Sequence, residues 1–182
     1  LAGQYRSPRI GNPAMAITIY QHIIDEMDTS SADAAKANLR ICETFNLAEA
    51  FDFEIAIPYC AEAIRIKPDY GSAYRELGRM RYRRRNYEGS IEAFETCVAL
   101  GATDIECWTL RGLAHYFLGN CDAAWTVLNE AAIRAEAQGE PDDPNIAIGL
   151  SNTRGVCPAY SNLPTATPIL PTAIPPTPIG GL

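Results

Sequence analysis

Several features are scarce in this chain, and each scarcity closes a class of function. Basic residues are outnumbered: 15 Lys and Arg stand against 22 Asp and Glu, a formal net charge of −7 over 182 residues. Nucleic acid selects for basic surfaces, so no nucleic acid is expected as a partner. No apolar run approaches the roughly 18 residues that a membrane-spanning helix needs, so no membrane span is expected. Only two histidines occur, His22 and His115, and none of the six cysteines forms a Cys-x-x-Cys pair. Those spacings do not suit a metal centre. A Gly-rich phosphate loop is missing, as is any Ser/His/Asp or Cys/His set in a recognisable setting. His115 lies near Cys107 and Cys121, but its place beside Tyr116, one period after Arg81, suits a packed or surface histidine better than a base. No catalytic residue, cofactor or metal is assigned, and a non-enzymatic protein is expected.

What the chain has is a repeat. Gly71–Asp104 set above Ile105–Gln138 brings large and small residues into register at a period of 34. Tyr74 lies over Trp108, Gly78 over Gly112, Tyr82 over Tyr116, Ser90 over Ala124, Phe94 over Leu128 and Cys97 over Ala131. A fixed period of this length implies a solenoid built from one supersecondary unit. Each unit reads as two helices joined by a short turn, Arg84–Asn86 in one and Leu118–Asn120 in the other. A glycine at 78 or 112 lets the second helix approach closely, and Ser90 or Ala124 is expected to complete that approach. Tyr74 and Trp108 are expected to fill the wedge between neighbouring units.

This spacing resembles the tetratricopeptide repeat (TPR) family. The first unit matches it at Tyr74, Leu77, Gly78, Tyr82, Tyr87, Ser90, Ile91 and Phe94; the second at Trp108, Gly112, Tyr116, Gly119, Ala124, Leu128 and Ala131. Arg111 departs where the family has Leu. The resemblance implies an all-α, right-handed helical-hairpin solenoid. It also implies ligands lying on the first helices of the units, which here carry Arg75, Arg79, Tyr82 and Arg83, then Thr109, Leu113, Tyr116 and Phe117. These residues form the candidate partner-binding face, a basic patch beside an aromatic, apolar one. Such a face suits an extended proline-rich peptide, with rings stacking on proline and arginine donating to carbonyls or a carboxylate. Arg84 and Arg85 fit a solvated helix end, where cations are favoured.

Around this centre the chain divides into an extended arm over 1–12, a solenoid over 13–157 with a leading helix, about three repeats and a capping segment, and an extended Pro/Thr-rich tail over 158–182. Asn12-Pro13 opens the leading helix, with an N-cap and a proline at the first helical position; Met15, Ile17, Tyr20, Ile24 and Met27 then recur at helical spacing. Ser30–Asp33 opens another, running from Ala34 to about Ala48. Ala37–Asp69 is a degenerate earlier repeat, in which Arg40 and Thr44 replace the aromatic and the glycine. Pro58 is tolerable only if its helix starts near Phe53. Asp143–Thr153 is expected to cap the solenoid through Ile146, Ile148 and Leu150.

The tail holds seven of the 13 prolines, which favour polyproline II. At ~3.1 Å per residue it spans about 75 Å. Its apolar residues, Ile169, Leu170, Ile174 and Ile179, are candidates for docking on the aromatic face. Thr165, Thr167, Thr172 and Thr177 lie within two residues of proline and are candidate O-glycosylation sites; no Asn-x-Ser/Thr sequon occurs. The chain opens at Leu1 without a charged-then-apolar leader, as expected of either a fragment or a processed protein.

Six cysteines permit three disulfides, which would place the protein outside the cytosol; six ordinary buried thiols are the alternative. In an antiparallel pair, positions equidistant from the turn face each other, which pairs Cys42 with Cys60 across the first unit and Cys97 with Cys107 across a unit junction. Cys121 then pairs with Cys157 through the folding back of the cap. Together these features point to a secreted interaction protein that self-associates head-to-tail into an extracellular filament through its tail, a homopolymer. The alternative is an adaptor that binds peptide segments of other proteins, with the tail as a tether.

Overall fold

A computed structural model describes residues 12–26, 29–46, 52–141 and 143–162. The arm before Asn12, Met27, and the tail positions Ile169, Leu170, Ile174, Ile179, Thr165, Thr167, Thr172 and Thr177 lie outside the described residues. Within them are eight α-helices and one 3-10 turn, and no strand. The helices are α1 (Pro13–Glu26), α2 (Ser31–Phe45), α3 (Phe53–Ile66), α4 (Gly71–Arg83), α5 (Tyr87–Ala99), α6 (Ile105–Phe117), α7 (Cys121–Ala137) and α8 (Pro144–Val156); the 3-10 turn is Pro158–Tyr160. Three hairpins, α2–α3, α4–α5 and α6–α7, stack in order, with α1 against α2 and α8 against α7 and α6. The architecture is the all-α, TPR-like helical repeat.

Local chemistry sets the helix starts. The side chains of Ser30, Asp52, Asn86, Asp104 and Asp143 each accept from a backbone N–H in the first turn of their helix. This satisfies donors that have no partner within the helix. The two expected turns fall at Arg84–Asn86 and Leu118–Asn120. Equivalent residues there take left-handed backbone, Arg85 at φ 60° and Gly119 at φ 74°. A non-glycine residue is strained in that region. Arg85→Gly is therefore expected to raise stability by about 0.5–1 kcal/mol, read from the urea midpoint at unchanged slope.

Close approach at the two repeat glycines is confirmed, with one correction. A Cβ on Gly78 would lie 2.6 Å from the Phe94 ring, and one on Gly112 would lie 2.7 Å from Leu128 Cγ. The glycine thus makes room for a large side chain, Phe94 or Leu128; Ser90 and Ala124, both fully buried, are not its nearest neighbours. In the degenerate unit the equivalent pair is Thr44 and Cys60, both fully buried. The first helix gains bulk where the second loses it, which keeps interior density without the family residues.

That unit departs from expectation in its bounds: α2 begins at Ser31, on the Ser30 cap, and stops at Phe45. Helix α3 starts at Phe53, so Pro58 is its sixth residue and exposed, and the only intrahelical carbonyl it leaves unpaired is that of Glu54. Ile148 is also corrected. Ile146, Gly149, Leu150 and Thr153 form the buried stripe of α8, and Ile148 falls between its turns, 57 % exposed.

Three disulfides join Cys42–Cys60, Cys97–Cys107 and Cys121–Cys157, with Cα–Cα distances of 5.4, 6.4 and 5.9 Å. They are the pairs that hairpin geometry suggests. The first ties α2 to α3, the second α5 to α6, and the third the start of α7 to the end of α8. The first tail residues are not extended. Pro158–Tyr160 turns back, Tyr160 stacks on Trp125 at 5.0 Å between centroids, and its hydroxyl donates to Asp122. No described helix is long and apolar enough to cross a membrane.

Candidate functional site

The first helices α2, α4 and α6 bring the expected partner-binding residues onto neighbouring positions, but in two groups of different character.

The first group is ionic. Arg75 on α4 pairs with Glu76 at 2.8 Å, reaches Glu43 on α2 at 3.5 Å, and bonds Asp104 at the start of α6. Arg79 pairs with Glu106 at 3.0 Å and with Glu76 at 3.3 Å. Glu76, 1 % exposed, also accepts from Asn46 Nδ2 at 2.7 Å. Burial works against the charge on Arg75, but Glu76 and Asp104 more than offset it, and its pKa rises. Arg83 donates to the Asn46 carbonyl at 2.7 Å, and burial, then repulsion from Arg79, lowers its pKa. The expected basic patch is thus corrected. Arg75 and Arg79 are already neutralised by carboxylates from their own and adjacent units. A buried charge must be paired or it is strongly unfavourable. These ion pairs join α4 to α2 and to α6 within the solenoid.

Glu106 sits at the edge of this network. Burial raises its pKa and the carboxylates of Glu76 and Asp104 push the same way, while Arg79 and Arg75 counter them only in part. A carboxyl raised in the folded state stabilises fully below its ordinary pKa, ~4.3, and that contribution is lost as pH rises through the folded value. Glu106→Gln is therefore expected to unfold at a higher temperature than the parent at pH 7 and at the parent's temperature below pH ~4. Thermal unfolding across that range checks it.

Beside the network lies a pocket of ≈ 490 Å³ whose lining includes Asp104, Glu106, Thr109, Gln138, Glu140 and Asp143. Among the described residues that line it none is basic. Thr109 contributes little surface; it is buried and its hydroxyl donates to the Ile105 carbonyl of its own helix.

The second group is aromatic and clusters at the turn end of the second and third units. Phe117 stacks on Tyr87 at 4.9 Å, meets Tyr82 edge-on at 6.1 Å and contacts Tyr116 at 5.2 Å. Phe117 is 52 % exposed, a large hydrophobe left uncovered at the centre of the cluster. Burial, with Tyr87 adding to it, pushes the Tyr82 hydroxyl up to about 12, so it stays a neutral donor. Leu113 does not join them; it packs inward, its Cδ2 2.8 Å from where a Cβ on Gly149 would stand. Tyr87 was not among the expected site residues, although its family position at the start of the second helix places it against the preceding helix end. Glu43, Glu76, Asp104 and Glu106 were missed too; Glu76 and Arg75 are adjacent in sequence, a signal that was available.

His115 is half-buried, and burial, then Arg111, lowers its pKa. Among the described residues no group of His, Cys, Asp and Glu could hold a metal ion.

No family model matches the chain, and no curated protein does. Among solved structures it is similar to a crystal structure of MamA protein, at 23 % identity and TM-score 0.60, over 74 % of this chain and 70 % of that one. A MamA RS-1 ArsTM double mutant matches at 14 % identity and TM-score 0.59, over 85 % and 90 % of the two chains. A further MamA crystal structure matches at 14 % identity and TM-score 0.57, over 84 % and 92 %. These likenesses show the fold.

Proposed function

We propose that this chain is a non-enzymatic, extracellular interaction protein that binds other copies of itself by docking its Pro/Thr-rich segment on the aromatic cluster. The half-exposed Phe117, ringed by Tyr82, Tyr87 and Tyr116, carries the reading. Aromatic clusters of this kind are the usual receptors for polyproline segments, which are already stiff and lose little entropy on docking. The chain leaves the described residues close by. Tyr160 is held at the first turn of α7, just past the Leu118–Asn120 turn that follows Phe117. Three disulfides support an oxidising compartment. In such a compartment Thr165, Thr167, Thr172 and Thr177 would carry O-linked sugar, raising the intact mass above that of the bare polypeptide.

Two changes test the docking: removal of Pro164–Leu182, and Tyr116→Ala with Phe117→Ala. Each is expected to reduce assembled protein to smaller particles by light scattering. Assembly unchanged in both rules the docking out. The acidic pocket favours a second reading, an adaptor for another protein's peptide, with a lysine or arginine of that peptide entering between Glu140 and Asp143. Monomeric protein that binds a basic peptide, with affinity falling as salt rises, would support it.

A further inference from the structure

A further pocket, of ≈ 440 Å³, lies where the first hairpin meets the second. Ile57 of α3 and Leu77 of α4 line it together with Arg81, Arg84 and Asn86. Both aliphatic side chains pack on the buried cluster of Cys42, Ala56, Cys60 and Met80, yet both stay only half-buried. Arg84 and Asn86 are exposed. The pocket therefore has an apolar floor and a rim of nitrogen donors. Asn86 is also the N-cap of α5, so the positive end of that helix borders the rim.

The two arginines of the rim are held differently from Arg75 and Arg79. Arg81 Nη1 donates to the Gly89 carbonyl at 2.8 Å, which orients the side chain, and stands 3.7 Å from Glu92. Arg84 Nη1 pairs with Glu54 at 3.0 Å, and its guanidinium lies 5.5 Å from the centre of the Phe53 ring. Glu92 and Glu54 are 77 % and 78 % exposed, whereas Glu76, the partner of Arg75 and Arg79, is 1 % exposed. Exposed ion pairs contribute little, so an incoming carboxylate can take the place of Glu92 and Glu54 at small cost. A guanidinium has five donors, and these contacts engage Nη1 of each arginine. The repeat itself does not demand this arrangement. One period on, Leu118 stands in place of Arg84, and Arg111, 13 % exposed, in place of Leu77. At that junction the order of charge and hydrocarbon is reversed.

We propose that this pocket binds a small organic carboxylate with an apolar body, the chemistry that a medium-chain fatty acid presents. The carboxylate bridges Arg81 and Arg84, whose planar forks suit its two oxygens, and the hydrocarbon covers Ile57 and Leu77. Neither half of such a ligand suffices alone. An inorganic anion would leave the aliphatic floor in water, and a bare hydrocarbon would desolvate the arginine rim without offering it an acceptor. The site does not rest on the aromatic cluster or on the Pro/Thr-rich segment.

Titration calorimetry of the whole chain, disulfides intact, tests this with octanoate as the probe, acetate as its charge alone and octanol as its chain alone. Octanoate is expected to bind one to one, and acetate and octanol each about tenfold more weakly or worse. Arg84→Gln and Ile57→Asn are each expected to weaken octanoate by about tenfold or more. Arg84 is exposed and its ion pair lies at the surface, so Arg84→Gln is expected to keep the parent's helix content. If Ile57→Asn disturbs folding, Ile57→Thr carries the same comparison. Tyr116→Ala with Phe117→Ala is expected to leave octanoate binding unchanged, whatever it does to assembly. Octanoate that does not bind overturns the proposal, as does octanol that binds as tightly as octanoate. Binding that ignores Arg84→Gln, or that is lost with Tyr116 and Phe117, overturns it too and places the ligand elsewhere.

Discussion

Phe94→Ala is expected to lower stability by about 3–5 kcal/mol, among the largest effects of any single substitution in this chain. Phe94 is fully buried at the centre of the main core, which also holds Cys97, Cys107, Trp108 and Leu128. Its ring occupies the hollow that Gly78 leaves in α4, where an added Cβ would meet it at 2.6 Å. Truncation removes the transfer free energy of the ring and leaves a cavity that rigid helix backbones cannot close. The pairing with Gly78 supplies an internal control. Gly78→Ala alone is expected to destabilise by about 1–3 kcal/mol, because a fully buried ring has nowhere to move. Combined with Phe94→Leu, the loss should be smaller than the sum of the two, since the added methyl enters space that the ring has vacated. Urea unfolding of the four proteins with their disulfides intact gives the cycle. Additive losses would mean the two positions do not share one space.

Removing the Cys121–Cys157 bridge is the second large effect. It closes the longest of the three loops, with a sequence separation of 36, and its loss as the Cys121→Ser, Cys157→Ser pair is expected to cost roughly 3–4 kcal/mol. The consequence is also local. Helix α8 covers Leu113 and Leu128 through Gly149, whose Cβ position lies within 3.1 Å of both side chains. A cap that swings free uncovers them, so the double variant should bind an apolar dye under conditions where the parent does not. The Cys97–Cys107 bridge closes a much shorter separation of 10, and its removal should destabilise less. If the order is reversed, loop entropy does not set the stabilisation.

The repeat was legible because its period is written in residues of extreme size. Gly78 and Gly112, Tyr74 and Trp108 can be aligned without knowing any contact, and the turns at Arg84–Asn86 and Leu118–Asn120 follow from that alignment. Cysteine pairing was legible for a related reason: once two helices are antiparallel, distance from the turn decides which positions face. The ion network was not. Arg75 reads as a free cation along the chain, and its bond to Asp104 spans a separation of 29 residues. Only the stacking angle of successive units decides whether that carboxylate reaches it. Ile148 shows how fine the limit is. Periodicity said that α8 has a buried stripe, but Ile146 and Ile148 are two residues apart, and one of them had to face water. The contraction of the candidate face to Tyr82, Tyr87, Tyr116 and Phe117 has the same origin, since Thr109 and Leu113 are turned inward by packing that sequence does not display.

The placement of the disulfides divides the chain unevenly. Cys42–Cys60 closes the first hairpin on itself, Cys97–Cys107 ties α5 to α6 across a unit junction, and Cys121–Cys157 ties α7 to α8. Between Cys60 and Cys97 no bridge crosses, so the seam between the first hairpin and α4 is held without a disulfide, by contacts that include the buried Met80, Ala63 and Ala73, the bonds of Asn46 with Arg83 and Glu76, the pair of Arg75 with Glu43 and the surface pair of Arg84 with Glu54. A solenoid opens where its neighbour term is weakest. In this chain thermal breathing should therefore begin at that seam, and amide protons of α1–α3 should exchange with solvent as one group, ahead of those in α5–α8.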